Sequence, residues 1–261
     1  MAESATQVEG SRPEGAQSEA EASRSVRAMF TQIAPRYDLL NHLLSLQLDR
    51  MWRTRAARRL QPNLQSPDAM VLDLCCGTGD LALTFARAGK ARIIGADFSH
   101  AMVVRAKQKT PTFALPNAKR ADSLAFAEAD ALRLPFGGGT FDVVATAFGF
   151  RNLANYEAGL KEIRRVLKPG GTVAILEFAE PPPGILGNVY RWYFRNVLPR
   201  IGGLISGDRG AYTYLPSSVS RFFRPSELSA LMSNVGYKSV HHEIWTLGAV
   251  ALHRGVKSKD P

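Results

Sequence analysis

Short apolar runs of strand length alternate with segments of helical spacing through most of this chain. Residues 69–74, Ala-Met-Val-Leu-Asp-Leu, form an apolar run interrupted only by Asp73, which reads as a buried strand. A Gly-containing turn follows, then helical spacing over 80–88. Residues 91–96 give a second strand and 99–109 a helix with Ser99 as its N-cap. A third strand is expected over 124–129, a fourth and stronger one over 141–148, and a helix over 156–167 with Ile163, Val166 and Leu167 on its apolar side. Lys168-Pro169-Gly170-Gly171 reads as a turn before a fifth strand at 172–178. Pro181-Pro182-Pro183 breaks the chain ahead of an insertion over 184–210. A helix near 225–234 and strand-like runs at 237–245 and 247–253 close the pattern. No internal repeat is visible. Strands alternating with helices predict an α/β fold, a mostly parallel sheet with helices on both faces.

The ends depart from this texture. Residues 26–60 have helical periodicity with Arg-rich faces, interrupted at Pro35, and Pro62 and Pro67 punctuate a linker ending at 67. Residues 1–25 are rich in Glu, Ala, Ser, Gln and Gly, too poor in apolar groups to offset the entropy of ordering, and are expected to be a disordered tail. The expected division is therefore a tail at 1–25, one domain at 26–255 with N-terminal helices at 26–67 and an insertion at 184–210, and a short tail at 256–261.

Charge and cysteine usage add constraints. The net charge is +10, and the acidic tail (Glu3, Glu9, Glu14, Glu19, Glu21) makes the remainder more basic still. Such an excess fits simple solubility, a polyanionic partner or an anionic membrane surface. The tail lacks the cationic start and apolar run of a secretory signal, and its acidity is wrong for a transit peptide. The only cysteines, Cys75 and Cys76, are adjacent, which suits neither a disulfide nor a zinc site and points to a cytosolic protein. No run is long and uncharged enough to span a bilayer, so any membrane contact is expected to be peripheral. No metal site is visible.

The chemistry centres on Asp73-Leu-Cys-Cys-Gly77-Thr78-Gly79. A glycine turn between a buried strand and a helix lets backbone approach a ligand and aims helix N–H groups at it. Gly77 to Ala82 also fits the G-x-G-x-x-A dinucleotide fingerprint, so a dehydrogenase and a purely structural turn both compete. Asp97 ends the second strand, where a carboxylate can accept from both ribose hydroxyls. Asp130 follows the third strand and can take an adenine amino group, while the neighbouring Ala131 N–H meets a ring nitrogen. Leu134-Pro135-Phe136, Phe141-Asp142-Val143-Val144 and Leu167-Lys168-Pro169-Gly170-Gly171 complete an ordered series that a dehydrogenase has no reason to show. The series resembles the seven-stranded class I (Rossmann-like) methyltransferases, which implies S-adenosyl-L-methionine as cofactor.

Further strings narrow the resemblance. Phe30-Thr-Gln-Ile-Ala-Pro-Arg-Tyr37-Asp38-Leu-Leu-Asn41 with Leu44-Ser45, Asp49 and Trp52-Arg53, then Phe148-Gly149-Phe150-Arg151-Asn152, Tyr212-Thr-Tyr214-Leu215-Pro216-Ser217-Ser218-Val219 and Ala251-Leu252-His253-Arg254-Gly255, are similar to signatures of the ubiquinone/menaquinone biosynthesis C-methyltransferases. Ala147 stands where that family often has Ser, and Leu247-Gly248 where it has a glycine pair. Phe222-Phe223-Arg224-Pro225 is longer than its Phe-Pro. The resemblance implies methylation of a ring carbon of a prenylated quinol, demethylmenaquinol in menaquinone biosynthesis first and a benzoquinol of the ubiquinone route second. Another lipophilic acceptor, an RNA substrate prompted by the charge, and a noncatalytic cofactor-binding subunit are the other readings; no separate RNA-binding module is present.

A ring carbon is a poor nucleophile until its neighbouring hydroxyl begins to lose a proton, so a phenolate-stabilising group is wanted. Arg151 is expected to supply it, with Asn152 orienting the ring or a water; the competing reading is an Arg–Asn pair that satisfies loop backbone. Tyr37 closes over the cofactor or packs the N-terminal helices. His253 suits packing at a strand end better than catalysis. The insertion, aromatic, apolar and basic from Ile185 to Ile201, is expected to be a lid and an interfacial contact with anionic lipid, or else a homodimer interface.

Overall fold

The computed structural model describes residues 10–11, 13, 15–110, 123–181, 184, 187–188, 192–193, 196 and 209–259. Apolar side chains of strand β1 (Met70–Leu74) alternate between two faces, so Val71 enters one core and Leu72 and Leu74 the other. The other strands are β2 (Arg92–Asp97), β3 (Leu124–Glu128), β4 (Phe141–Ala147), β5 (Leu167–Phe178), β6 (Tyr237–Trp245) and β7 (Val250–Lys257), and all join one seven-stranded sheet in the order β3-β2-β1-β4-β5-β7-β6. The pairs from β3 to β5 are parallel, while β7 runs antiparallel between β5 and β6.

Helices cover both faces, as two buried apolar sets require. On one face Trp52 and Leu60, from α3 (Leu48–Arg59) and its end, and Leu83 and Phe85 of α5 (Asp80–Ala88) pack on Val71, Ile93, Val143 and Leu252. On the other, Leu160, Ile163 and Val166 of α7 (Tyr156–Val166) and Leu228 and Met232 of α9 (Pro225–Asn234) pack on Leu72, Val144, Val173 and Ile175. The remaining helices are α1 (Glu19–Ile33), α2 (Tyr37–Leu44), α4 (Gln61–Gln65), α6 (His100–Lys109) and α8 (Arg209–Ser220).

The expected disordered tail ends sooner than residue 25. Helix α1 starts at Glu19, Ser18 accepts the Glu21 N–H at 3.2 Å, and Ala22, Val26 and Ile33 are buried on one side. Its apolar stripe begins with an alanine, which a search for large apolar groups overlooks. Ser11 donates its N–H to the Leu153 carbonyl at 2.7 Å, and a Cβ at Gly10 would lie 2.1 Å from the Ala154 carbonyl carbon, so this short stretch lies flush on the domain. Residues 1–9 lie outside the described residues.

Smaller differences have similar local causes. Lys168 to Gly171 belongs to β5 as an irregularity: Phe141 pairs with Leu167, and the next pair joins Val143 to Thr172. A 3-10 turn at Thr246–Gly248 precedes β7, which runs on to Lys257 and so into the expected C-terminal tail. Ser99 occupies the N-cap of α6, yet its hydroxyl pairs with Thr31 of α1 at 3.0 Å. Most of the insertion at 184–210 lies outside the described residues.

Leu160 is fully buried beneath the sheet. Leu160→Ala is expected to cost about 2–5 kcal/mol, read as a lower denaturant midpoint with an unchanged m-value.

Candidate active site

The C-terminal ends of β1, β2 and β4 meet where the strand order reverses, the position at which open α/β sheets bind ligands. The turn after β1 carries three left-handed residues, Cys75 (φ 55), Gly77 (φ 54) and Gly79 (φ 85), which bring the start of α5 against the sheet. Asp73, at the end of β1, accepts the Ala82 N–H of the first turn of α5 at 2.8 Å through Oδ2. Its Oδ1 is buried with no hydrogen-bond partner among the described residues. Burial pushes the Asp73 carboxyl up to about 8. Asp97, at the end of β2, accepts the Gly77 N–H through Oδ2 and the Ser99 N–H through Oδ1, both at 2.9 Å, and burial raises it to about 6.

Two cavities meet over this turn. The smaller, about 50 Å³, is bordered by Asp97, Phe98, Met102, Asp130, Ala131 and Asn152, among others, and adjoins a shallow groove of about 380 Å³ along Phe98, Glu128 and Asp130. The larger, about 410 Å³, is bordered by Asp73, Thr78, Trp52, Arg53, Arg151 and Phe178, among others. Tyr37, Cys75, Gly77 and Phe148 border both and form the partition between them.

The wall of the larger cavity is aromatic. Phe148 and Phe178 lie with ring centroids 4.6 Å apart, and Trp52 stands 5.8 and 6.2 Å from them. The Arg151 guanidinium sits 5.3 Å from the Phe178 ring centroid. It pairs with the fully buried Glu177 at 3.0 Å and also donates to the Phe148 carbonyl. Burial opposes the Arg151 charge, but Glu177 outweighs it and holds the guanidinium above its ordinary pKa.

The N-terminal helices close over the turn through ion pairs. Asp49 of α3 takes the Arg53 guanidinium at 2.5 Å, His42 Nδ1 at 2.8 Å and the Ser45 hydroxyl at 2.6 Å. Arg53 reaches on to Asp80 at 3.3 Å, and Lys109 binds Asp80 and, at 2.9 Å, Asp38. Burial would raise Asp80, but Arg53 and then Lys109 hold it below the usual carboxylate range. The His42, Asp49 and Asp80 ligand atoms lie within 4.8 Å of one another, with Arg53 and Lys109 supplying positive charge beside them.

The expected residues thus separate. Gly77 and Tyr37 lie in the partition; Asp97, Asp130 and Ala131 border the smaller cavity; Asp73 and Thr78 border the larger. Asp130 is exposed and accepts the Leu132 N–H at 2.9 Å. Thr78 turns its hydroxyl to Asp38. Gly79 borders neither cavity; a Cβ there would meet the Phe126 ring at 2.8 Å, so its smallness serves packing. Arg151 and Asn152, expected to act as a pair, diverge: Arg151 faces the larger cavity and Asn152 the smaller, where its Oδ1 accepts the Tyr214 hydroxyl at 3.0 Å. His253 is buried, bonds the Pro225 carbonyl at 3.1 Å and is pushed down to about 4 by burial, as a packing role requires. Sequence reasoning missed Glu177, and it held Trp52 and Tyr214 only as members of signature strings, with no role assigned to either. A lone Glu closing the apolar run Val173 to Phe178 was the available signal for the first.

These features define a class I methyltransferase fold. A methyltransferase from Thermotoga maritima, described as a possible histamine N-methyltransferase, superposes with a TM-score of 0.61 at 19% identity, covering 89% of this chain and all (100%) of that one. A second from Aquifex aeolicus gives 0.54 at 16% identity, covering 77% and 89% of the two chains. The chain belongs to the ubiE/COQ5 methyltransferase family, whose model matches residues 17–257. The demethylmenaquinone methyltransferase of Thermus thermophilus is 50% identical over 228 residues, 87% of this chain and 99% of that protein. The ubiquinone/menaquinone biosynthesis C-methyltransferase of Geobacter sulfurreducens is 43% identical over 239 residues, 91% and 90% of the two chains.

The raised carboxyls have a measurable consequence. A carboxyl whose pKa is higher folded than unfolded imposes no penalty below about pH 4, and a growing one as pH rises towards its folded value. For Asp73 that value is about 8. Asp73→Asn keeps an acceptor for Ala82 and removes the penalty. The variant is expected to gain stability over the parent by roughly 1.4 kcal/mol per pH unit at most between pH 4 and 8, measured by denaturant unfolding across that range.

Proposed function

We propose that this enzyme transfers the methyl group of S-adenosyl-L-methionine to a ring carbon of a prenylated quinol, demethylmenaquinol before its benzoquinol counterpart. The observation that carries this reading is the aromatic cavity of about 410 Å³ with a fixed cation on its wall, beside a separate cleft that ends in Asp97. A flat, apolar, oxygen-bearing ring suits the first; a nucleoside suits the second. The names of the relatives from Thermus thermophilus and Geobacter sulfurreducens favour the same acceptor class and, in the first case, the naphthoquinol.

The residues present fit the donor. Asp97 ends β2 with each carboxylate oxygen still able to accept a ribose hydroxyl beside its backbone donor. The unpartnered Asp73 Oδ1 needs a donor or a cation in the cavity it borders. Asp130 and Ala131 border the same cavity as Asp97, which supports their use at the adenine edge. S-adenosyl-L-methionine supplies an electrophilic methyl on a cationic sulfur.

The protein's own contribution is placement, charge and exclusion of water. Trp52, Phe148 and Phe178 hold the acceptor ring flat and dry. Arg151, kept charged and immobile by Glu177, stabilises the negative charge that develops on the acceptor oxygen. Asn152 acts through the loop it shares with Arg151, held by Tyr214. Tyr37 and Phe148 shape the opening through which the two ligands meet.

The acceptor's chain keeps it in a bilayer, so the enzyme works as a peripheral protein of the cytoplasmic membrane face. The net charge of +10 and the exposed Leu39, Met51 and Trp192 support that placement. No helix among the described residues is long and apolar enough to cross a membrane. A homodimer through the insertion is the alternative use of that segment.

Labelled methyl transfer to reduced demethylmenaquinone and to the reduced benzoquinone counterpart tests the assignment. Product from the naphthoquinol is expected; product from the benzoquinol alone would move the enzyme to the other route, and product from neither would reject the acceptor class. Arg151→Lys keeps a cation beside Glu177 but loses the guanidinium geometry. It is expected to lower kcat by about 10²-fold with cofactor affinity by calorimetry little changed; an equal loss of both would remove Arg151 from the chemistry.

A further inference from the structure

Among the described residues, seven non-glycine residues have positive φ, and five of them, Leu46, Cys75, Phe148, Thr246 and Leu247, border the larger cavity. Cys75 and Phe148 are explained by the cofactor turn and the partition. Leu46 (φ 52) and Leu247 (φ 55) are not. Leucine is a poor residue for the left-handed region, where Gly or Asn sits with little strain. Each is also 71% exposed, the highest value among the exposed large apolar side chains of the described residues. Two leucines that are both strained and held in water gain nothing for the folded chain by being leucine. Strain of this kind collects where a ligand is gripped.

The turns that carry them are firmly built. Gln47, also left-handed, donates its N–H to the His42 carbonyl at 2.8 Å, and Leu48 donates to the Ser45 carbonyl at 3.0 Å. In the second turn, Thr246 accepts the Trp52 indole N–H at 2.8 Å, and Ala249 donates to the Thr246 carbonyl at 3.0 Å. The Trp52 bond ties the second turn to the helix that follows the first, so the two leucines are fixed relative to each other and to the aromatic wall behind them.

We propose that Leu46 and Leu247 are the two sides of an exit that grips the first isoprene units of the acceptor's chain. The inference rests on the quinol reading above and goes beyond it by assigning the chain a contact. The ring lies among Trp52, Phe148 and Phe178, and a chain leaving that ring must pass the rim of the same cavity, where these side chains are the exposed apolar groups. The occupant is the isoprenoid chain rather than a lipid surface, because both leucines border the cavity itself as well as solvent. They therefore set specificity for a prenylated over a bare ring.

The test uses the full chain with Leu46→Asn and Leu247→Gly, substitutions that suit a left-handed backbone and keep both turns. kcat/KM is measured in free solution for a demethylnaphthoquinol carrying a geranyl chain and for the same quinol with a methyl group in its place. Each variant is expected to lose roughly tenfold or more on the geranyl acceptor, to keep the methyl acceptor's value and the parent's affinity for S-adenosyl-L-methionine, and to melt no lower than the parent. Equal loss on both acceptors, or no loss on either, overturns the inference. A loss seen only when the acceptor is presented in phosphatidylglycerol vesicles assigns the leucines to lipid and also overturns it. A parent enzyme that methylates neither quinol overturns the acceptor assignment first, and the exit with it.

Discussion

The Arg151–Glu177 pair is buried at the ends of β4 and β5, and much of the site hangs from it. Removing either partner would strand a charge away from water, so the pair imposes a single geometry on everything that touches it. Glu177 also takes the Arg151 backbone N–H at 3.1 Å, and the Arg151 carbonyl takes the Tyr156 hydroxyl at 2.9 Å, which carries the constraint into α7. Arg151 Nε reaches Ser218 of α8 at 3.4 Å, and its guanidinium holds the Phe148 carbonyl. One ion pair thus fixes the loop after β4, the left-handed Phe148 in the partition and the aromatic wall behind it.

A second set of charges performs a different task. The pairs among Asp38, Asp49, Arg53, Asp80 and Lys109 join helices α2 and α3 to the start of α5 and the end of α6. All but Asp49 are less deeply buried than Arg151 and Glu177, and they bridge separate pieces of chain rather than one loop. The cofactor turn therefore has a rigid floor, set by the sheet, and a roof attached by ion pairs.

Most of the architecture could be read from local pattern, because strand-length apolar runs and glycine turns are short-range signals. The position of Asp97, at the end of β2 and on the border of the smaller cavity, was legible for the same reason. What escaped depended on distance in sequence. Glu177 matters because Arg151 lies beside it in space, and Trp52 because β4 and β5 bring Phe148 and Phe178 to it. The first turn of α1 escaped because alanine buries as well as leucine where helices approach closely. Gly79 lies against the Phe126 ring, a neighbour that smallness in the sequence does not name.

The partition of Tyr37, Cys75, Gly77 and Phe148 gives the enzyme two doors instead of one. On the proposed reading the donor's nucleoside enters past Asp130 and the acceptor's ring enters past Leu46 and Leu247. A water-borne ligand and a greasy one then need not share a path, and each route can carry the chemistry its own traveller wants.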